Sequence, residues 1–464
     1  MKLSRYARTR QSGRTVVVFH ELHPEPLYLD IGQWSVNPDD LSDDIRRRMW
    51  ELRLIIDREE IDAEELRTVE TALRRRLDTP EILYLVLAEG CNFDCAYCPV
   101  QHVSKGGRAA LQMSPVTVTN AIDAWLDQIE RVDSQGIPFS IIFYGGEPLL
   151  NRVTLRVGLE RLAELREKDR LPDDCSVLLT TNGYLLDDDD ITLLRYHDVT
   201  VVVGCDGPAE IHDEYRREAG TAPTFQQVHT AISRLVSSGV RTCASAALTP
   251  SALRRLPEYD DFFHSLGVEK YGLNLLRGRR LDQVLHGSDR ERYFRAASQQ
   301  IADNYAVSGN PGFEYQAERR HRAFHEQRYF PTDCNGYGNQ LVVHADGTAG
   351  NCPFLPGQYG DVESLDAQFE LNRQQEAVQW RRRLPLYNPR CSSCDAKSIC
   401  GGGCAWNAQE LSGDAEAIDE GMCQTTLAMF DLLLWQQADA GPPTPFSATR
   451  SVLSATVIDD PKAL

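Results

Sequence analysis

The feature that most constrains this chain is a group of three cysteines within eight residues. Cys91, Cys95 and Cys98 come directly after an apolar run at 82–88, so they lie in a loop at the end of a predicted buried strand. A disulfide joins two sulfurs and a structural zinc site usually takes four ligands, so three close thiols suit a metal centre with one open position. An iron–sulfur cubane on three thiolates fits this description. A zinc knuckle of Cys95, Cys98 and His102 is the alternative.

The spacing of this loop resembles the signature of the radical SAM superfamily, a C-x3-C-x2-C pattern with an aromatic residue before the third cysteine. Tyr97 occupies that aromatic position. The resemblance implies that Cys91, Cys95 and Cys98 hold a [4Fe–4S] cluster whose open iron binds the amino and carboxylate groups of S-adenosylmethionine (SAM). It also implies reductive cleavage of SAM to methionine and a 5′-deoxyadenosyl radical, which abstracts a hydrogen atom from an unactivated carbon.

Composition and charge limit the partners of the protein. The 464 residues suffice for a large core with one or two smaller units, and 68 Asp and Glu against 49 Lys and Arg give a net charge of −19. This charge argues against a nucleic-acid backbone or an anionic membrane as the main partner. No stretch approaches the roughly 20 apolar residues that span a bilayer, and the basic residues 1–14 precede no apolar stretch, so we expect a cytoplasmic protein.

Most of the 13 cysteines fall into clusters. Because the cytosol keeps thiols reduced, we interpret the clustered cysteines as metal ligands rather than disulfides. Cys175, Cys205 and Cys243 stand alone in apolar runs, and we predict that they are core residues.

Residues 1–78 are predicted to form a small α+β unit. Strand-like runs lie at 15–19, 26–30 and 54–56, and helical patterns lie at 40–52 and 63–76. A unit of this size is marginal alone, so we expect it to dock on the rest of the protein. It resembles the winged-helix-like element that precedes many peptide-modifying radical SAM enzymes and captures a leader peptide as an added strand. A structural cap on the next domain is the alternative.

Between residues 79 and 300 the sequence alternates strands with amphipathic helices. The predicted strands are 82–88, 139–144, 176–181, 199–204, 240–248 and 270–276. Ser114 and Pro115 have the residue types that cap and begin a helix. This alternation builds parallel βαβ units, and six units are too few for a closed eight-fold barrel. We therefore predict an α/β fold with a partial (β/α)6 barrel whose functional end is formed by the carboxyl ends of the strands.

Polar and glycine-rich motifs come after three successive predicted strands. They are Gly145, Gly146, Glu147 and Pro148 after the second strand, Asn182 after the third, and Asp206 with Arg216 after the fourth. Paired glycines let the backbone approach a ligand, and the Glu147 carboxylate can accept from an ammonium group. Each motif taken alone is also compatible with an ordinary turn.

The order and spacing of these motifs resemble the radical SAM subgroup that contains anaerobic sulfatase maturases and peptide-modifying enzymes. The resemblance implies that these residues, together with Tyr97, contact SAM. Gly204 stands where that subgroup has a serine, which removes the hydroxyl that would contact SAM there.

A second cysteine array lies in a predicted domain at 334–437, behind a bridge at 301–333. It resembles the SPASM extension of radical SAM enzymes, which carries two auxiliary iron–sulfur clusters. The resemblance assigns Cys391, Cys394, Cys400 and Cys423 to an outer cluster, and Cys334, Cys352 and Cys404 to an inner one. Sulfatase maturases supply one more cysteine shortly before this array, and this chain has none between Cys243 and Cys334. The inner cluster then keeps an iron that is open or takes another ligand. Zinc is the alternative for the Cys391 and Cys394 pair.

The bridge and the C-terminus have less specific sequences. The bridge, rich in Arg, Gln and His, either lines a substrate site or is a solvated connector. Residues 438–464 begin with a Gly- and Pro-rich stretch and are predicted to be a flexible tail.

The resemblance implies a peptide-modifying oxidoreductase. We expect a ribosomally synthesised precursor peptide as substrate, modified by cross-linking, thioether formation or epimerisation, with electrons from a flavodoxin- or ferredoxin-type reductant. A sulfatase maturase that makes formylglycine is the second hypothesis. It ranks lower because Pro353 comes after Cys352, where those enzymes have an aspartate that acts as a base. A non-catalytic iron–sulfur electron-transfer protein is the third hypothesis. The sequence identifies no catalytic base.

Overall fold

The computed structural model describes residues 1–100, 111–132, 136–218, 222–285, 290–308, 313–365, 369–436 and 438. His102, the third ligand of the alternative zinc knuckle, and residues 439–464 of the predicted tail lie outside this set. Among the helices of the described residues, none has the length and apolarity needed to cross a membrane.

The N-terminal unit contains a small antiparallel sheet and two helices, as its predicted α+β class requires. Its elements are β1 (Lys2–Leu3), β2 (Ala7–Ser12), β3 (Thr15–His20), β4 (His23–Asp30), α1 (Asp43–Glu51), β5 (Ile55–Ile56) and α2 (Glu59–Leu77). Strands β2, β3 and β4 form the sheet, while β1 pairs with β5. Strand β2 was not predicted, because it has no alternating apolar residues and most of its side chains are exposed. Main-chain pairing with β3 along its whole length forms it instead.

Six parallel strands form most of the main sheet and confirm the predicted partial (β/α)6 barrel. They are β6 (Ile82–Ala88), β7 (Ser140–Gly145), β8 (Ser176–Thr181), β9 (Thr200–Gly204), β10 (Thr242–Ala247) and β11 (Tyr271–Asn274). The helices of this part are α3 (Pro115–Ile129), α4 (Arg152–Glu167), α5 (Asp188–Tyr196), α6 (Ala209–Tyr215), α7 (Phe225–Ser237), α8 (Pro250–Arg254) and α9 (Tyr259–Leu266). Each strand pairs in parallel with the next along the chain, so all six carboxyl ends lie at one edge.

Helix α3 shows how the local sequence sets these elements. The Ser114 side chain accepts a hydrogen bond from Thr117 N at 3.0 Å, and Pro115 is the first helical residue, which confirms the predicted start. The apolar face of the helix is buried against the sheet, with Trp125 completely buried at its centre. Trp125 Nε1 donates to the carbonyl of Pro80 at 2.8 Å, so its polar atom is satisfied as well.

The C-terminal part of the chain joins the barrel sheet. Its elements are α10 (Leu281–Leu285), α11 (Arg290–Ser308), α12 (Tyr315–His325), β12 (Gln340–Val343), β13 (Ala349–Gly350), α13 (Gln375–Arg381), α14 (Ala405–Ser412) and α15 (Glu420–Gln436). Strand β12 pairs in parallel with β6, and β13 pairs antiparallel to β12, which gives a sheet of eight strands. The boundary that we predicted between residues 300 and 301 falls inside α11, and this helix packs along α15.

The N-terminal unit docks on this C-terminal part. Glu21, almost completely buried, accepts from Lys397 Nζ at 2.8 Å. Phe19 of β3 packs against Phe430 of α15 with ring centroids 5.3 Å apart. The docking that we expected for a unit of this size therefore uses both a buried ion pair and an apolar contact.

We expect the Trp125→Ala substitution to lower the free energy of unfolding by about 3–5 kcal/mol, because it removes the largest fully buried side chain and leaves a cavity. Trp50, which is 37% exposed, provides the matched control, and Trp50→Ala should cost under about 1 kcal/mol. Urea denaturation followed by circular dichroism measures both values. Equal denaturation midpoints for the two variants would contradict this assignment of the core.

Candidate active site

The three-cysteine loop leaves the carboxyl end of β6, in the middle of the sheet between β7 and β12. Local hydrogen bonds fix its shape: Phe93 N donates to Cys91 Sγ at 3.4 Å, and Cys98 N donates to Cys95 O at 3.1 Å. The loop therefore starts as an ordered turn at the edge where parallel-sheet enzymes bind their ligands.

The thiols of this loop lie close enough for their charges to interact. Burial raises the pKa of Cys91 to about 11, and the negative charges of Glu147 and Cys98 add to the effect. Burial also raises the pKa of Cys95, where Cys98, Asp206 and Cys91 add and only a nearby guanidinium opposes. Three thiolates are stable here only with added positive charge, which the irons of a cluster bring. The donor set therefore fits the [4Fe–4S] cluster that the sequence predicts.

Glu147 lies beside this loop, at the end of β7, with its carboxylate completely buried. Its oxygens accept from Thr181 Oγ1 at 2.7 Å, Asn182 N at 2.7 Å and Leu149 N at 3.0 Å. Burial raises the pKa of Glu147, and these three hydrogen bonds oppose that rise. A carboxylate offers about four acceptor positions, so one remains for the ammonium group that we predicted as its partner.

The glycine pair before Glu147 allows a close approach between chain segments. A Cβ on Gly145 would lie 2.4 Å from Ala88 O, and a Cβ on Gly146 would lie 2.3 Å from Gly90 O. The two glycines thus let the end of β7 touch the start of the cysteine loop. Pro148 comes next as the first residue of a short 3-10 turn that Glu147 caps.

Asn182 joins the motif that follows β8 to the cysteine loop. Its Nδ2 donates to Asn92 Oδ1 at 2.8 Å and lies 3.7 Å from Cys91 Sγ. Because its main-chain N–H also donates to Glu147, Asn182 connects two of the three predicted motifs.

Asp206, completely buried, holds together the motif that follows β9. Its Oδ1 lies 2.9 Å from Arg216 Nε and accepts from Ala247 N at 2.9 Å, and its Oδ2 accepts from the Tyr97 hydroxyl. The negative charge of Asp206 raises the pKa of Arg216 against the opposing effect of burial. Tyr97 and Arg216, predicted as separate SAM contacts, are therefore brought together by one carboxylate.

The replacement of the subgroup's serine by Gly204 has a steric reason. A Cβ at this position would lie 2.5 Å from Arg216 Nη1 and 3.0 Å from its Cζ. The guanidinium of Arg216 thus occupies the space that a serine side chain would need.

The three inner cysteines, Cys334, Cys352 and Cys404, line one cavity of about 350 Å³. The same cavity extends along the barrel lumen, where Tyr84 of β6 and Tyr144 of β7 line it. Burial raises the pKa of Cys334 to about 12, with a further contribution from Cys404. The residues thus fit an inner cluster held by three thiolates, with a cavity beside it.

Residues of the predicted bridge also line this cavity. Tyr315, Gln316 and Arg319, on α12, face it together with Pro353. This part of the bridge is therefore a cavity wall rather than a solvated connector.

The described carboxylates on the cavity wall, Glu81 and Asp333, are both engaged by the protein. Glu81 accepts from Arg76 Nη2 at 2.6 Å, and burial raises its pKa to about 7. Asp333 accepts from Arg320 Nη2 at 2.9 Å and from Gly403 N at 3.0 Å. Sequence reasoning missed both, although Asp333 directly precedes a predicted ligand.

The four outer cysteines surround a second, smaller cavity of about 40 Å³. Its lining includes Cys391, Cys394, Cys400 and Cys423. All four predicted ligands of the outer cluster are thus brought together, close to the Lys397 ion pair that anchors the N-terminal unit. Within the described residues, no three His, Cys, Asp or Glu side chains converge as tightly as a single metal ion requires.

Comparison with known proteins identifies the family of the barrel. Residues 85–251 match the sequence profile of the Radical SAM superfamily. This segment contains the three-cysteine loop and the motifs after β7, β8 and β9. The family uses SAM with a [4Fe–4S] cluster, which the thiols of the loop fit.

Two curated relatives are sulfatase-maturating enzymes. The serine-type anaerobic sulfatase-maturating enzyme of Bacteroides thetaiotaomicron is 28% identical over 178 residues, which are 38% of this chain and 41% of that protein. The cysteine-type enzyme of Clostridium perfringens is 20% identical over 360 residues, which are 74% of this chain and 93% of that protein. The match to the first relative thus spans less than half of its length.

Two solved structures share the fold over most of this chain. A structure of anSMEcpe with bound AdoMet and the Cp18Cys peptide is 19% identical, with a TM-score of 0.61, and covers 77% of this chain and 98% of that one. Streptococcus suis SuiB bound to its precursor peptide SuiA is 13% identical, with a TM-score of 0.50, and covers 91% and 99%. Residues 85–251 therefore form a Radical SAM domain, and the chain is similar in sequence to anaerobic sulfatase-maturating enzymes.

Proposed function

We propose that this protein is a radical SAM enzyme that modifies a ribosomally synthesised peptide by cross-linking, thioether formation or epimerisation. The observation that carries the proposal is the cavity of about 350 Å³ shared by the barrel lumen and the inner cysteines. A peptide segment in this cavity would lie between the cysteine loop after β6 and the inner thiols. The related folds of anSMEcpe and SuiB have structures with peptides bound, which supports a peptide as the ligand.

Cofactor binding is assigned to the residues of the three motifs and the cysteine arrays. When bound, the cluster and SAM supply reductive cleavage of SAM and hydrogen abstraction from the substrate. In this proposal Cys91, Cys95 and Cys98 hold that cluster, and the two auxiliary clusters take the inner and outer cysteine sets defined above. The proposed SAM contacts are Tyr97, Gly145, Gly146, Glu147, Pro148, Asn182, Asp206 and Arg216.

The inner cluster would keep one iron without a cysteine ligand. Three thiols line its cavity, and the nearby carboxylate of Asp333 is engaged by Arg320 and Gly403. An open iron facing the cavity could bind a substrate heteroatom and accept the surplus electron after hydrogen abstraction. A flavodoxin- or ferredoxin-type protein is the proposed electron donor to the chain.

Residues 1–78 are proposed to bind the leader of the precursor. The small sheet ends in β2 on one side and β4 on the other, and an extended peptide adds to a sheet through such an edge. Within the described residues, β2 pairs only with β3, so its other edge has no strand partner.

Formylglycine generation is the second candidate, and the curated relatives favour it. Pro353 on the cavity wall argues against it, because this residue cannot accept the proton that the aspartate of those enzymes takes. The two reactions change the mass of a cysteine peptide differently, so a single measurement separates them.

We expect the reconstituted protein to form 5′-deoxyadenosine from SAM after reduction with dithionite. Cys95→Ala should abolish this product and lower the iron content by about four atoms per chain, because it removes one ligand of a cubane. Chromatography with mass detection and iron analysis measure both quantities. Cys243→Ala, at a buried cysteine outside the clusters, is the matched control. Product formation by the Cys95→Ala variant would refute the proposed ligand set.

We expect a precursor peptide that is co-expressed with the enzyme to lose about two mass units per cross-link or thioether, because two hydrogen atoms leave. Epimerisation would leave the mass unchanged and would appear as a D-residue on chiral amino-acid analysis. A loss of about 18 mass units at a cysteine is not expected. Conversion of a sulfatase-type cysteine peptide to the aldehyde would instead establish the second candidate.

We expect Asp206→Asn to weaken SAM binding at least about tenfold, because it leaves the buried Arg216 without its counter-charge and releases Tyr97. Equilibrium dialysis with labelled SAM on the cluster-loaded protein measures the affinity. Glu210→Gln, an exposed carboxylate on the next helix, is the control and should bind SAM like the wild type. An unchanged affinity in Asp206→Asn would remove Asp206 from the SAM site.

A further inference from the structure

One guanidinium in the large cavity is influenced by the charges of Cys404 and Asp419 but forms no ion pair with either. Arg277 lies three residues after β11 and lines the cavity near its inner-cysteine end. Of the residues that the structure describes, none forms a hydrogen bond or an ion pair with the Arg277 side chain. A guanidinium that loses water without gaining a partner is costly, so a ligand that fills this cavity must satisfy it.

The other charged side chains of the cavity wall are already satisfied. Arg76 donates to Glu81 at 2.6 Å, and Asp333 accepts from Arg320 and from Gly403 N. Arg319 donates to Thr332 O at 3.1 Å and stacks on the Phe330 ring at 4.7 Å. Apart from the inner cysteines, the cavity wall thus carries three guanidiniums against two carboxylates, inside a chain whose net charge is −19.

Phenol groups surround Arg277 on the lumen side. Tyr84, Tyr144 and Tyr315 line the same cavity, and the positive charge of Arg277 acts on all three hydroxyls. Tyr84 and Tyr144 stand edge to face with ring centroids 5.9 Å apart. A free guanidinium beside phenolic O–H donors is a combination that binds carboxylates through charge-assisted hydrogen bonds.

We propose that Arg277 binds a carboxylate of the substrate peptide in this cavity, between the barrel lumen and the inner cysteines. The inference rests on the proposed function, which it deepens by naming the substrate class as a peptide with an acidic group next to the modified position. That group is an Asp or Glu side chain or the C-terminal carboxylate. Binding it would hold the neighbouring residue in place inside the lumen.

The test is affinity selection with three synthetic mixtures of pentapeptides that are random except at the centre. The first has a central Asp with both ends blocked, the second a central Asn with a free C-terminal carboxylate, and the third a central Asn with both ends blocked. Each is incubated with the cluster-loaded protein in the presence of SAM, and the retained peptides are quantified by mass spectrometry. The first two mixtures distinguish the two sources of a carboxylate.

We expect the wild-type protein to retain one acidic mixture about tenfold better than the blocked neutral mixture, the size of one charge-assisted hydrogen-bond pair. Arg277→Gln should abolish this preference, and Arg277→Lys should keep part of it, because a lysine keeps the charge and loses the bidentate geometry. Arg279→Gln, two residues along on an exposed side chain, is the matched control and should keep the full preference.

Four results would overturn the proposal, and the first three concern binding. They are equal retention of all mixtures by the wild type, an unchanged preference in Arg277→Gln, and a tenfold loss of SAM affinity in that variant, which would give Arg277 to the SAM carboxylate. A shifted reduction potential of the inner cluster without any peptide preference would assign Arg277 to that cluster and would also overturn it. Acidic selectivity without 5′-deoxyadenosine formation would leave this inference standing and refute the proposed function, so the two failures are distinguishable.

Discussion

The parallel pairing of β12 with β6 is the interaction on which the rest of this structure depends. Strand β6 ends in the three-cysteine loop, and β12 lies between Cys334 and Cys352 along the chain. Four successive residue pairs, from Gln340 opposite Ile82 to Val343 opposite Leu85, fix the register of the two strands. A slip of one residue would turn every side chain to the other face of the sheet. This register therefore also fixes which side chains of the two strands face the cavity that the barrel lumen shares with the inner cysteines.

A cation lies near each group of thiols. Arg216 lowers the pKa of Cys95, Arg277 lowers that of Cys404, and Lys397 lowers that of Cys391, each against the larger effect of burial. Thiols that must become anionic in a poorly solvated interior need such neighbours. The overall charge of −19 conceals this arrangement, because the acidic groups of the chain are mostly at its surface.

The sequence predicted those features that are encoded by local patterns. The six strands, the start of α3 and the two cysteine arrays were all predicted from periodicity or spacing, and the structure places them within a few residues of the predictions. Strand β2 was missed because its polar sequence has no strand period, and the boundary at residue 300 was misplaced because α11 continues through it. Strand β12 could not be assigned to the barrel sheet, since its partner lies more than 250 residues earlier in the chain.

Within the site, residue types were predictable and their partners were not. The motif residues Tyr97, Asp206 and Arg216 were each identified, but only the fold shows that one carboxylate joins them. Arg277 carries no motif, and its importance arises from the lack of a hydrogen-bond or ion-pair partner among the described residues around it. Such properties depend on the surroundings of a side chain, which no local pattern records.

The attachment of the N-terminal sheet has a consequence for how this molecule is made. Glu21 and Tyr28 find their partners in Lys397 and Leu434, 376 and 406 residues later. A ribosome delivers the first strands long before those partners emerge, so the apolar face that contains Phe19 stays uncovered during most of translation. Closing contacts over such separations is also slow. Until the last helix is made, this face lacks its native cover, and exposed apolar surface of this kind favours aggregation.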